Sequence, residues 1–221
     1  MGLIDFIGPV HRSTVRDYLG RVTEHDKAEC ASVAKRFGEE YWDGERHFGY
    51  GGYFYDGRWH PVAERIADHY GLKAGDRVLD VGCGKAYILY ELTQVVPGLD
   101  VTGIDVSKYG LAHAKEELRD NLHLASATDL PFADGTFDVA LSLATFHNLY
   151  LFDAIQALRE IQRVCPSPRK YVMVESYRNE REKANLLYWQ LTCESFFTPD
   201  EWKWCFNQAG YDGDYGFIYF E

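Results

Sequence analysis

A chain of 221 residues, 46% apolar and 26% charged, has the length and balance of one soluble globular domain with a sizeable core. Its formal charge of −11 speaks against a polyanion partner, because nucleic-acid binding draws on Lys and Arg contacts to phosphates and no dense basic stripe is present. Five widely spaced cysteines without a CxxC pair give neither a zinc motif nor a disulfide framework, so reduced thiols and a cytoplasmic location are expected.

The N-terminal "MGLIDFIGPVHR" lacks a signal-peptide layout, Phe6 stands where a myristoylation site wants Ser or Thr, and no apolar run is long enough to span a membrane. In "TEHDKAECASVAKRFG", Cys30, Val33, Ala34 and Phe37 fall on one stripe and predict a helix capped by Thr23 and ended by Gly38. "HFGYGGYFYDGRWHP" follows, too rich in glycine for a helix and too broken for a long strand. Pro61 opens a helix lined by Val62, Ile66 and Tyr70 and stopped by Gly71. Strands and helices then alternate: "RVLDV", a helix through Ile88, Leu89 and Leu92, "DVTGID", a helix from near Ser107, and the strands "LHLASA" and "FDVALSL". A helix carrying Phe152, Ile155, Leu158 and Ile161 precedes "KYVMVES", and the tail adds helices near 181–196 and 199–209 and a strand near "GFIYF". This pattern predicts an α/β, doubly wound and mostly parallel sheet of six or seven strands with helices on both faces.

Such a sheet binds its ligand beyond the carboxyl ends of its strands, and the first such end reads "VLDVGCGKAY". Gly82 and Gly84 allow a tight turn and close approach, but a GxGxxG dinucleotide fingerprint would place its last glycine at Tyr87. Asp80 before the glycines and Asp105 at the end of the next strand suit a ligand with a ribose, whose hydroxyls a carboxylate accepts. The other reading of Asp105, as a helix cap, competes with Ser107.

These motifs resemble those of the class I S-adenosylmethionine-dependent methyltransferases, from about Pro61 to the C-terminus. "VLDVGCGKA" is similar to the family's glycine-rich motif, with Ala86 where a third glycine often stands, and "GIDVS" to its ribose motif. "ATDLPFADGTFDVALSLATFHNL" is similar to its third block, with Asp129 matching the acid that accepts from the adenine amino group. The resemblance implies a Rossmann-like methyltransferase core over 61–221, with 1–60 as N-terminal helices and a lid on the same domain. It implies S-adenosylmethionine as methyl donor and S-adenosylhomocysteine as product. The cofactor would be held by Asp80, Gly82, Cys83, Gly84, Asp105, Val106, Thr128, Asp129, Leu130, Leu143 and Trp59.

On the acceptor side, His147 and Asn148 follow the fourth strand, where a histidine can accept a proton as the methyl arrives or merely orient a neighbour. Glu175, Tyr177 and Arg178 end the fifth strand, where a structural role is equally open. In the glycine-rich segment, Tyr50, Tyr53, Tyr55 and Trp59 can exclude water and stack near a sulfonium, and Arg58 can hold an anionic group. The alternative there is a surface hairpin turning at Asp56-Gly57. His147, Tyr50 and Arg58 are the catalytic candidates; Tyr53, Asn148, Tyr177 and Arg178 are the substrate-binding candidates, and no metal is expected. Arg58, Arg178 and Arg181 favour a small polar acceptor with a carboxylate or phosphate, methylated at oxygen or nitrogen. No nucleic acid and no membrane are expected as partners, and a homodimer is left open. A non-catalytic cofactor-binding module is the competing reading, followed by a nucleic-acid methyltransferase, which the acidity and the lack of an NPPY-like stretch oppose.

Overall fold

Six short apolar runs become strands: β1 Arg77–Val81, β2 Asp100–Asp105, β3 Leu122–Leu124, β4 Val139–Leu143, β5 Lys170–Glu175 and β6 Asp214–Ile218 in a computed structural model that describes residues 1–12 and 14–221. They pair in the order β3-β2-β1-β4-β5-β6, and every pairing is parallel. The all-parallel arrangement follows from the central strands, which are apolar on both faces and so need helices above and below. β4 and β5 are buried almost throughout.

Helices α1 Gly8–Arg12, α2 Gly20–Thr23, α3 Lys27–Ala34 and α4 Glu39–Trp42 precede α5 His60–Tyr70, which packs on α6 Tyr87–Val95 over one face of the sheet. Val62, Ile66, Leu89 and Leu92 supply that layer of the core. α7 Lys108–Ala112 follows β2, and α8 Leu151–Val164 packs with α10 Pro199–Ala209 on the opposite face through Ile155, Leu158, Ile161, Trp202 and Phe206. α9 Glu180–Trp189 lies between β5 and α10 in the chain. The strand order reverses between β1 and β4, so the crevice of this sheet opens at their carboxyl ends.

Several boundaries differ from expectation for local reasons. α3 is capped by Asp26, whose side chain accepts from Glu29 N, while Thr23 ends the separate helix α2. Phe37 leaves the helix in a left-handed conformation at φ 50°. The helix expected over 181–196 stops at Trp189, because 190–197 instead runs as an irregular chain whose Glu194 and Ser195 amides donate to His147 O. Only Leu122–Leu124 of "LHLASA" pairs, since β2 ends at Asp105, the partner of Leu124. No hairpin forms over 47–59; Asp56 Oδ1 instead accepts from Arg58 N in a local turn. All five cysteines are buried and unbridged. No helix among the described residues is long and apolar enough to cross a membrane.

Candidate active site

The carboxyl ends of β1, β2 and β4 form the floor of a cavity bordered by Asp80, Gly82, Cys83, Gly84, Asp105, Val106, Ser126, Leu143 and Ala144. The glycine loop fits there only as glycine. Gly82 sits at φ 83° with any added Cβ driven into Thr145, and a Cβ on Gly84, at φ 55°, would lie 2.6 Å from the Trp42 ring. Ala86 and Ala144 also hold positive φ, near 56° and 57°, so strained backbone gathers at the loop and at the end of β4.

The two acids of this cavity differ in their surroundings. Asp105 is fixed by backbone donors, Gly84 N on Oδ2 and Ser107 N on Oδ1, each at 2.7 Å. Ser107 Oγ takes the capping bond from Gly110 N, so the carboxylate is not spent on a cap. Burial raises its pKa above the usual carboxylate range. Asp80, 1% exposed, has Oδ1 without a partner among the described residues. Burial, and then the charge of Asp105, push it up to about 8. A buried acid in this state calls for a cationic or donor group from a ligand.

The segment 37–59 closes over the loop through buried polar contacts. Trp42 Nε1 donates to Ser107 Oγ at 2.8 Å and to Phe37 O at 3.2 Å. Asp43 accepts from Lys85 Nζ at 2.7 Å, Tyr53 N at 3.0 Å and Tyr109 OH at 3.0 Å. Burial alone would raise the Asp43 pKa, but these donors outweigh it and hold the group low. Tyr50 stacks on Trp42 with centroids 5.4 Å apart and rings 9° from parallel, and Trp59 Nε1 donates to Tyr53 OH at 3.0 Å.

A second cavity adjoins the first, with Tyr41, Tyr50, Tyr53, Trp59 and Ala144 lining both. Glu175, at the carboxyl end of β5, borders it together with Arg16, Arg21, Arg46, Trp189 and Gln190. Glu175 Oε1 accepts from Gln190 Nε2, and Oε2 has no hydrogen-bond partner among the described residues. Burial raises this carboxyl to about 8, while the charge of Arg16 and the Gln190 bond oppose the rise. His147 stands behind it: its Nδ1 accepts from Glu175 N at 3.2 Å, which leaves the proton on Nε2, 3.4 Å from Glu175 Oε2 but misaligned for a hydrogen bond. Burial lowers the His147 pKa to about 3, so the ring is neutral.

The sequence candidates thus separate. Asp80, Gly82, Cys83, Gly84, Asp105, Val106, Leu143, Trp59, Tyr50, Tyr53 and Asn148 line the first cavity. Thr128, Asp129 and Leu130 do not; Asp129 is exposed, and Ser126 borders the cavity in that loop. His147, Tyr177 and Arg178 line neither cavity. Arg178 is engaged by Glu182 and Glu221. Arg58 reaches the second cavity but is held by Asp56. Sequence reasoning passed over Phe37, Tyr41 and Trp42, although "EEYWDG" extends the aromatic run toward the N-terminus. It also passed over Arg16, Arg21 and Arg46, which carry no local signature. Among the described residues no group of His, Cys, Asp or Glu could hold a metal ion.

Residues 79–168 match the family model described as a methyltransferase domain. An uncharacterized methyltransferase of Schizosaccharomyces pombe is 34% identical over 46% of this chain and 40% of its own length. A ubiquinone/menaquinone biosynthesis C-methyltransferase of Citrifermentans bemidjiense is 29% identical over 54% of this chain and 52% of its own. The chain therefore spans about half or less of these curated relatives. A Haloferax volcanii chain solved in complex with the Trm112 methyltransferase activator superposes with a TM-score of 0.56 and 25% identity, over 89% of this chain and 77% of that one. An unpartnered buried acid and a backbone-fixed carboxylate beside a tight glycine loop suit a ligand bearing a cation and a ribose. Residues 79–168 thus carry a methyltransferase domain, and with its parallel sheet and glycine loop the chain is similar to the class I S-adenosylmethionine-dependent methyltransferases.

Proposed function

We propose that this protein transfers the methyl group of S-adenosylmethionine to a small polar acceptor, at an oxygen or nitrogen atom. The observation that carries the reading is the pair of adjoining cavities with Ala144, Tyr50 and Tyr53 as common walls: one has the donor set for the cofactor, and the other has room for an acceptor. When bound, the cofactor supplies an activated methyl group on a sulfonium centre for in-line displacement.

The rest falls to the chain. Asp105 accepts from the ribose hydroxyls, while Asp80 balances the cationic end and loses its excess proton as it does so. Ser126 borders the end of the cavity beside β3, where the adenine would lie, and Asp129 stands outside that lining. Residues 37–59 act as the lid: Trp42 and Tyr50 stack over the glycine loop, and the Lys85–Asp43 pair fastens it. Excluding water and setting the acceptor within roughly 3.5 Å of the methyl carbon provide most of the acceleration. Glu175, once ionised, takes the proton released by the acceptor, and His147 holds it in place. Incubation of the full chain with S-adenosylmethionine and a metabolite mixture, following S-adenosylhomocysteine, tests the reading. Acceptor-dependent product supports it, and tight cofactor binding with no product from any acceptor fraction overturns it in favour of a binding module.

A further inference from the structure

We propose that the second cavity selects an organic acid, with Arg16, Arg21 and Arg46 together receiving the acceptor's carboxylate or phosphate. The inference rests on the methyl-transfer reading of the adjoining cavity. All three guanidinium groups gather on one ring: their carbons lie 5.6, 5.3 and 5.0 Å from the centroid of Trp189. None of them pairs with a carboxylate among the described residues. Arg58, Arg77, Arg163, Arg169 and Arg178, by contrast, each pair with an acid.

Their hydrogen bonds go almost entirely to backbone carbonyls. Arg21 donates to the carbonyls of Trp189 and Arg46, Arg46 to that of Gly49, and Arg16 to those of His11 and Thr14, with one contact to the His11 ring. Arg16 Nε is buried with no hydrogen-bond partner among the described residues. Three like charges held together, partly out of water, are costly unless an anion joins them. Burial accordingly lowers the pKa of each, and that of Arg21 falls to about 10 with the charge of Arg46 adding to the effect.

The lining also includes the apolar Met173, Ile218 and Phe220, the last with its ring centroid 5.2 Å from the Arg16 guanidinium carbon, so the ligand pairs an anionic group with a hydrocarbon or aromatic body. Guanidinium forks match carboxylate and phosphate geometry bidentately.

The test is calorimetry on the full chain saturated with S-adenosylhomocysteine, titrated with benzoate, phenylacetate and phenyl phosphate and with the neutral benzamide, phenylacetamide and benzyl alcohol. At least one anionic probe should bind about tenfold or more tightly than its neutral counterpart, and the carboxylate and phosphate arms identify which group is preferred. Arg21→Met and Arg46→Met should remove that preference while leaving the affinity for S-adenosylhomocysteine within about twofold. Equal binding of charged and neutral probes, no binding of any probe by millimolar concentration, or an undiminished preference in both variants would overturn the proposal. Failure of S-adenosylhomocysteine itself to bind would instead refute the cofactor reading on which it rests.

Discussion

Asp80→Asn separates stability from function at the floor of the first cavity. The carboxyl titrates near 8 in the folded chain, against an ordinary value of 3.8. The folded state therefore keeps a proton that the unfolded state releases, and native stability falls as pH rises from about 4 to about 8, by at most about 1.4 kcal/mol per pH unit. Coupling to Asp105 and relaxation reduce that ceiling, leaving on the order of 2 kcal/mol across the window. Asparagine cannot ionise, so the variant lacks this slope. It should match wild type near pH 4 and exceed it by on the order of 2 kcal/mol near pH 8. Cofactor affinity should move the other way. In wild type it rises with pH until about 8 as Asp80 ionises, and in the variant it is flat and about tenfold or more weaker. Urea denaturation at three pH values, with calorimetric titration at each, reads both quantities. Parallel stability profiles for the two proteins would refute the assignment of a protonated, ligand-seeking acid at this position.

Glu175→Gln should lower kcat by about tenfold or more at unchanged cofactor affinity, and abolish a rise of kcat/KM toward pH 8; a retained pH profile would exclude Glu175 as the proton acceptor. Asp43→Ala leaves the buried Lys85 without its counter-charge and should cost about 3 kcal/mol in denaturant unfolding while loosening the lid. Gly84→Ala forces a methyl group against Trp42 at a left-handed position and should destabilise by about 2 kcal/mol, with weakened cofactor binding measured in parallel. Arg58→Ala, which removes an exposed pair with Asp56, should change stability by no more than about 0.5 kcal/mol.

The sequence revealed those parts of the site whose chemistry is local. The glycine loop, Asp80 and Asp105 sit at strand ends that hydrophobic runs define, so their place around one cavity was legible from position on the sheet. Asp129 against Ser126 depended on where β3 ends: pairing stops at Leu124, so Ser126 borders the cavity and Asp129 lies farther out. His147 belongs to the expected loop, but the 3-10 turn Phe146–Asn148 directs its ring beneath Glu175 rather than into a cavity. The gathering of Arg16, Arg21 and Arg46 on Trp189 joins residues more than 140 positions apart, which no periodicity or spacing encodes. The same holds for the contact of Trp42 with Ser107, on which the placement of segment 37–59 depends.

Calorimetric titration of S-adenosylmethionine into the wild-type chain and into Asp105→Ala tests the central claim most directly. The account predicts saturable binding at micromolar concentrations to wild type, and a loss of about a hundredfold or more in the variant, whose fold is checked by circular dichroism. No heat of binding to wild type at high micromolar concentration, or equal affinity in the two proteins, would contradict it.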